Sequence, residues 1–97
     1  MDRMIYLNTL YDIYKDLFTD KQQMYYEAYY FENLSLSEIA DNNNVSRNAV
    51  HNQLKIIEDK LVDLEEKLKI NEKNNKLIKL AENKKDSKLL EEIKRII

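Results

Sequence analysis

Four residue types are absent from this chain of 97 residues: cysteine, glycine, proline and tryptophan. Without cysteine there is no disulfide framework, no cysteine-bound zinc and no thiol nucleophile. Without glycine there is no glycine-rich loop to bind phosphate groups, and the usual hairpin turns are missing as well. These absences favour an all-α chain in which asparagine, which tolerates left-handed backbone conformations, makes the turns.

Side chains that carry out chemistry are scarce. His51 is the only histidine, which excludes a metal site with two histidine ligands. No serine or threonine has a sequence context that suggests an activated nucleophile. The adjacent Glu65 and Glu66 are expected on a solvated helix face. We therefore expect a binding protein that is not an enzyme and that has no cofactor and no metal site.

Long apolar runs are also missing. None approaches the roughly 20 residues that span a bilayer. The N-terminus, MDRMIYLN, lacks the basic region and the long apolar stretch of a signal peptide. We expect no membrane span and a cytoplasmic location.

The net charge of −2 does not favour nucleic-acid binding, but the charge is unevenly distributed. Residues 1–45 carry 3 basic and 8 acidic side chains, whereas residues 46–97 carry 13 basic and 10 acidic ones. Phosphate contacts supply much of the affinity for nucleic acid, so any such contact is expected in the second half. The alternative is a solvated surface without a partner.

The stretch LSEIADNNNVSRNAVHNQLK, residues 36–55, follows the helix-turn-helix pattern. Ser35 and Glu38 form a capping box, Ser-x-x-Glu, that starts a short helix. Three asparagines end this helix, Ser46 caps a second one, and Ala40 is the small residue that the crowded corner needs. Short helix, tight turn and second helix are typical of nucleic-acid readers, whose second helix contacts the bases.

The outer face of the second helix supplies the candidate nucleic-acid-binding residues. They are the polar or cationic side chains of its cap and first turns: Ser46, Arg47, Asn48, His51, Asn52 and Lys55. Arg47 would favour guanine, and Asn48 or Asn52 could pair with adenine in a major groove.

The second helix then continues into a heptad pattern. No helix breaker occurs from Ser46 to Lys69, and the pairs Asp63–Lys67 and Glu65–Lys69 are expected to stabilise the helix. Such a seam would either join two copies of the chain in a parallel homodimer or pack within its own chain. The seam residues are Leu54, Ile57, Leu61, Leu64 and Leu68.

Two helices are predicted before the motif, over residues 2–17 and 20–31, and Thr19 with Gln22 forms a capping box for the second. All nine aromatic residues lie in residues 1–31. A run of tyrosines could stack unpaired bases. Their helical spacing and acidic neighbours favour core packing instead, with the hydroxyls at the rim.

The C-terminal third is expected to be less regular. Residues 70–75 interrupt the pattern, a short helix follows at about residues 76–82, and Asp86 or Ser87 caps a last helix. This gives a helix-turn-helix domain in residues 1–70 and a C-terminal helical extension in residues 71–97. The extension either packs on the domain or presents an amphipathic helix to a partner.

The segment YYFENLSLSEIADNNNVSRNAVHNQLKIIEDKL, with the entry LFTDKQQ, resembles the YlxM family of small bacterial helix-turn-helix proteins. It is more distantly similar to the promoter-reading domain of sigma factors, and the resemblance covers about residues 1–70. The resemblance implies a sigma-factor-like helix-turn-helix without a wing and with a long recognition helix. It also implies a regulatory role in the signal recognition particle pathway, with the particle's RNA, its protein or its receptor as partners.

The family's motif positions map onto Ser46, Arg47, Ala49 and Val50. Arg47 lies where the sigma-like domain touches nucleic acid. Asn43 stands where relatives usually carry a large apolar residue, which predicts a looser turn. Two other functions stay open: a sequence-specific DNA-binding transcription regulator, and an adaptor that binds protein only.

Overall fold

The computed structural model describes residues 2–97, and within them the chain forms six α-helices and no strand. The helices are α1 Arg3–Tyr14, α2 Asp20–Tyr30, α3 Leu36–Asn43, α4 Arg47–Leu68, α5 Ile70–Asn83 and α6 Ser87–Ile96. A short 3-10 turn, Lys15–Leu17, follows α1. The predicted all-α, helix-turn-helix class is confirmed. Of the domain predicted over residues 1–70, Met1 lies outside the described residues.

Side-chain caps start the helices at the predicted places. The capping boxes of Thr19 with Gln22 and of Ser35 with Glu38 each close through two hydrogen bonds of 3.1 Å. Ser46 Oγ accepts an amide of the first turn of α4, also at 3.1 Å. Each hydroxyl satisfies an N–H group that has no partner inside its helix.

In a chain without glycine, other residues adopt the left-handed conformation at the turns. Four of them have φ between 54° and 58°: Asn33, Asn44, Lys69 and Lys85. This conformation is unfavourable for any residue with a Cβ, and least so for asparagine. The expectation that asparagines make the turns is therefore met at two of the four positions.

The turn between α3 and α4 is tight. The N–H of Asn44 donates to Asp41 O, and the N–H of Val45 donates to Ala40 O, which is the Schellman arrangement. Asn43 Nδ2 donates to the carbonyl oxygen of the preceding helical turn at 2.8 Å. The looser turn predicted from Asn43 is wrong, because its amide donates back to Ile39 O and the backbone bonds of Asn44 and Val45 close the turn.

Helices α1, α2 and α4 surround the main core. It consists of Leu7, Leu10, Tyr11, Tyr14, Phe18, Tyr26, Ile57 and Leu61. A second cluster joins α2, α3 and α4 through Tyr25, Ala28, Ile39, Ala40, Val50 and Leu54. The rings of Tyr11 and Tyr26 stack with their centroids 4.1 Å apart. Core packing of the tyrosine run is confirmed for Tyr25 and Tyr26, while Tyr29 remains partly exposed.

The heptad seam of α4 packs within its own chain. Leu54, Ile57 and Leu61 are buried, Leu64 is half-buried and Leu68 is exposed. A homodimer through these five residues would require the core to open, so the prediction of a dimer at this seam is wrong. The alternative, packing on the chain's own helices, is confirmed.

Tyrosine hydroxyls of the core donate to carboxylates on neighbouring helices. The donor–acceptor distances are 2.7 Å for Tyr11–Glu27, 2.8 Å for Tyr14–Glu65 and 2.6 Å for Tyr30–Glu58. Burial, and then the hydrogen-bonded carboxylate, raises the pKa of each of these tyrosines. These three carboxylates thus accept hydrogen bonds from core tyrosines and are not free surface charges.

Helix α5 begins at Ile70 and not near residue 76, because Glu65 caps it. The carboxylate of Glu65 accepts a hydrogen bond from the hydroxyl of Tyr14, at 2.8 Å. It also accepts hydrogen bonds from the N–H groups of Asn71 and Glu72, at 3.1 Å each. A carboxylate at a helix start satisfies free amides and meets the positive end of the helix dipole. Glu65 is only 9% exposed, so its predicted place on a solvated face is wrong.

The predicted ion pairs of α4 are half right. Asp63 and Lys67 pair at 2.9 Å as expected. Lys69 does not bind Glu65; its Nζ lies 3.8 Å from Glu72 on the next helix. The left-handed Lys69 separates α4 from α5, so its side chain leaves the α4 surface.

Helices α5 and α6 form a hairpin. Helix α5 packs on α1, and α6 packs on α5. Within residues 70–97 the one buried residue is Ala81. The described chain is elongated, 53 × 25 × 24 Å. The tail therefore covers the domain's own core only where α5 meets α1.

Candidate nucleic-acid interface

The corner of α3 and α4 presents the first turns of α4 to solvent. The inner side of the corner is anchored by Ile39 and Ala40 of α3 against Val50 and Leu54 of α4. The small side chain of Ala40, 3% exposed, lets the two helices approach closely, as predicted. The outer side of α4 is therefore held by a rigid scaffold.

All six candidate residues are exposed on the outer side of α4 or at its cap. Ser46 uses its hydroxyl oxygen as the helix cap. The Nζ of Lys55 lies 3.2 Å from a carboxylate oxygen of Asp59, one turn further on. The side chains of Arg47, Asn48, His51 and Asn52 make no hydrogen bond or ion pair among residues 2–97. These four are available to an external partner.

One flank of this surface is a groove of about 540 Å³ between the start of α2 and α4. Asn52 and Gln53 line it from α4, and Lys21 and Gln22 line it from α2. The Nζ of Lys21 lies 5.8 Å from the ring centroid of Tyr25. Helix α2 thus adds a cation beside Asn52 that the motif itself does not contain.

The other flank is a smaller hollow of about 150 Å³ that brings His51 and Lys55 to the end of α2. Tyr29 and Tyr30 line the same hollow, together with Glu58. Tyr29 is 37% exposed. An imidazole, an ammonium group and an accessible tyrosine therefore line the same hollow.

Lys21 and Tyr29 line the flanks of the candidate interface, and the sequence did not place them there. Lys21 lies in a capping turn and carries no binding signal of its own. Tyr29 belongs to the tyrosine run whose spacing and acidic neighbours favour core packing over base stacking. Both reach the interface because α2 packs across α4, which sequence spacing does not reveal.

The cationic part of α4 is short. From Arg47 to Lys55 the helix rises about 12 Å, which is close to the width of a major groove. Glu58 and Asp59 follow directly and bring negative charge. Glu58 is already engaged by the hydroxyl of Tyr30 at 2.6 Å and lies 3.9 Å from Arg3. Favourable contact with phosphate is thus confined to the first three turns.

None of the helices in the described part of the chain combines the length and the apolar character that crossing a bilayer requires. Among residues 2–97, no three side chains of histidine, cysteine, aspartate or glutamate are grouped so that they could hold a metal ion.

Comparison with known proteins decides the family. A family model of helix-turn-helix proteins, described as YlxM / p13 like, matches residues 1–96. The chain belongs to the UPF0122 family. The resemblance to YlxM is confirmed, and the match extends beyond residue 70 into the C-terminal helices.

Curated UPF0122 proteins are similar over most of their length. One from Mycoplasma capricolum subsp. capricolum is 44% identical over 80 residues, which cover 82% of this chain and 71% of the relative. One from Malacoplasma penetrans is 42% identical over 87 residues, covering 90% and 81%. One from Halalkalibacterium halodurans is 36% identical over 97 residues, covering 100% and 81%.

Proposed function

We propose that this UPF0122 protein is a regulatory protein that binds nucleic acid through α4, and that it is not an enzyme. The observation that carries the proposal is the outer face of α4 at the helix-turn-helix corner. Arg47, Asn48, His51 and Asn52 are exposed there, and their side chains have no hydrogen-bond or ion-pair partner among residues 2–97. Their helix is anchored from behind by α3. This is the arrangement in which a recognition helix contacts bases.

RNA with unpaired bases is the ligand that we favour. Tyr29 lies beside His51 and Lys55, and an accessible ring next to a cation suits a splayed base and its phosphate. The resemblance to the YlxM family supports RNA of the signal recognition particle as the specific ligand. In that role the particle's protein or its receptor would be a further partner. The cytoplasmic location stays a prediction.

A DNA-binding transcription regulator is the second candidate. Asn48 and Asn52 lie one turn apart on the outer face of α4, where they could pair with adenine, and Arg47 could pair with guanine. The supply of cations is small, however. Arg47, Lys55 and Lys21 would neutralise about three phosphates, which corresponds to a salt slope near −3 on duplex DNA.

Fluorescence anisotropy at low salt tests the proposal with three labelled ligands: a stem-loop RNA, a single-stranded RNA and a duplex DNA. Arg47→Ala and Lys55→Ala should each weaken binding about tenfold, the scale of one specific or charged contact. Lys79→Ala, which removes an exposed lysine of α5, is the matched control and should leave binding unchanged.

Tyr29→Ala separates the two ligand classes. Loss of a stacked base should weaken RNA binding about tenfold or more and leave duplex DNA binding nearly unchanged. Equal loss on both ligands would favour the transcription regulator. If the wild-type protein binds none of the three ligands at low salt, the proposal fails, and an adaptor that binds only proteins becomes the better hypothesis.

A further inference from the structure

The α5–α6 hairpin has an apolar surface that its own chain leaves uncovered. Large apolar side chains on it are between 38% and 83% exposed, and they are Leu77, Leu80, Leu89, Ile96 and Ile97. On α6, Leu89, Ile93 and Ile96 recur at four- and three-residue steps and so lie along one side of the helix. Large apolar side chains left exposed on two packed helices indicate a contact surface.

The hairpin is also basic. Residues 70–97 carry 8 lysine or arginine and 5 aspartate or glutamate side chains. The exposed charged side chains of α6 are three cations and two carboxylates: Lys88, Lys94, Arg95, Glu91 and Glu92. An occupant of this surface should therefore combine apolar side chains with carboxylates.

A groove between α2 and α3 has this complementary character. Its volume is about 490 Å³, and its lining includes three acidic residues, Asp20, Glu27 and Glu32, and the apolar Met24 and Leu34. The carboxylate of Glu27 also accepts a hydrogen bond from the Tyr11 hydroxyl, so Asp20 and Glu32 are the acidic groups without a partner inside the described chain. No lysine or arginine is among the described residues that line it. Met24 is 39% exposed, so an apolar side chain is accessible between the acidic ones.

We propose that two copies of this chain associate, the α5–α6 hairpin of one packing on the α2–α3 groove of the other. The hairpin has a net charge of 8 − 5 = +3, so the acidic groove suits it better than a second hairpin with the same net charge. Within one chain the hairpin packs on α1, whereas the groove is formed by α2 and α3. The hairpin of a second copy would therefore occupy the groove. A two-fold pair would form the contact twice. This interface leaves the outer face of α4 open.

Sedimentation equilibrium of the full chain over a range of concentrations tests the proposal. The wild-type mass should rise from 11.7 kDa towards twice that value as concentration increases. Ile96→Glu breaks the hairpin surface at a side chain that is 83% exposed, so the fold should survive. Asp20→Lys with Glu32→Lys reverses the charge at two positions that line the groove. Each variant should raise the dimer dissociation constant about tenfold or more.

Mixing the two variants identifies which surfaces meet. An equimolar mixture retains one intact hairpin and one intact groove, so dimers should return in part. Two controls make the same chemical changes elsewhere. Ile56→Glu alters an exposed isoleucine of α4. Asp16→Lys with Glu66→Lys changes the net charge by the same amount as the groove variant, at exposed positions outside the groove. Both should dimerise like the wild type, with circular dichroism verifying helix content.

Three results would overturn the proposal. The first is a wild-type chain that stays monomeric at its highest soluble concentration. The second is a dimer that survives in the groove variant, which would assign the contact to two hairpins or to another surface. The third is failure of the mixed variants to associate while both controls dimerise.

Discussion

Residues 2–69 and residues 70–97 are both helical, but different forces stabilise them. All the buried apolar residues except Ala81 lie in the first region. The second region depends on caps, on local ion pairs and on the junction at Glu65. Helices shorter than about 12–15 residues are marginal when isolated, so α6, with 10 residues, depends on its packing. A packed core thus supports the α4 face, whereas the hairpin buries only Ala81 and leaves its large apolar side chains exposed.

Alkaline pH should break the first region most completely. Burial raises the pKa values of Tyr11, Tyr14, Tyr26 and Tyr30 above the ordinary 10.0, because the folded state favours the neutral hydroxyl. Their contribution to stability is therefore full below pH 10 and is lost as pH rises above it. Tyrosinate absorbance and far-ultraviolet circular dichroism should change together. Ionisation of these tyrosines near pH 10 with the helices intact would contradict the account.

The next largest effect is expected from truncating a core side chain, which should lower the free energy of unfolding far more in the first region than in the second. Ile57→Ala removes a fully buried side chain and should lower the free energy of unfolding by about 2–5 kcal/mol. Leu80→Ala, at a side chain that is 53% exposed, should change it by less than about 0.5 kcal/mol. Urea unfolding measures both. Comparable losses would mean that the hairpin is part of the core.

Loss of the Glu65 junction should act on the boundary between the regions. Glu65→Ala leaves a tyrosine hydroxyl and two amides without their acceptor, which should destabilise the chain by about 1–3 kcal/mol. Hydrogen exchange should accelerate in α5 and α6 more than in α1–α4. Glu66→Ala, at the exposed neighbour, is the control. Unchanged exchange in α5 would show that Glu65 does not hold the hairpin.

The smallest expected effect comes from removing the steric cost of the left-handed backbone conformation at Lys69, between α4 and α5. Lys69 has φ 56°, which glycine adopts without a steric penalty. Lys69→Gly should therefore raise the free energy of unfolding by about 0.5–1 kcal/mol, and Asn44→Gly by less, because asparagine tolerates this conformation. Thermal unfolding checks the order. A fall in melting temperature for Lys69→Gly would show that the lysine side chain matters more than its backbone.

Local sequence signals predicted the first region well. Capping boxes at Thr19 and Ser35, the cap at Ser46 and the turn at Asn44 all depend on residues a few positions apart, and the structure has them as expected. Apolar periodicity also placed the buried face of α4. Periodicity alone does not say which surface covers that face, so the sequence left two packings open, and the structure has the one within the chain.

Contacts between distant residues are what the sequence could not reveal. Helix α5 starts at Ile70 because Glu65 and Tyr14 meet across 51 positions of the chain. The same limit applies to the candidate interface. The α4 residues followed from the motif, whereas Lys21 and Tyr29 join them only through the packing of α2 on α4.

The measurement that tests the central claim most directly is a titration of the isotope-labelled chain with stem-loop RNA, followed by amide NMR spectra. The account predicts that signals of residues 46–55, with those of Lys21 and Tyr29, shift first, while signals of residues 70–97 stay in place. Shifts confined to residues 70–97, or no shift at low salt, would contradict a nucleic-acid interface on α4.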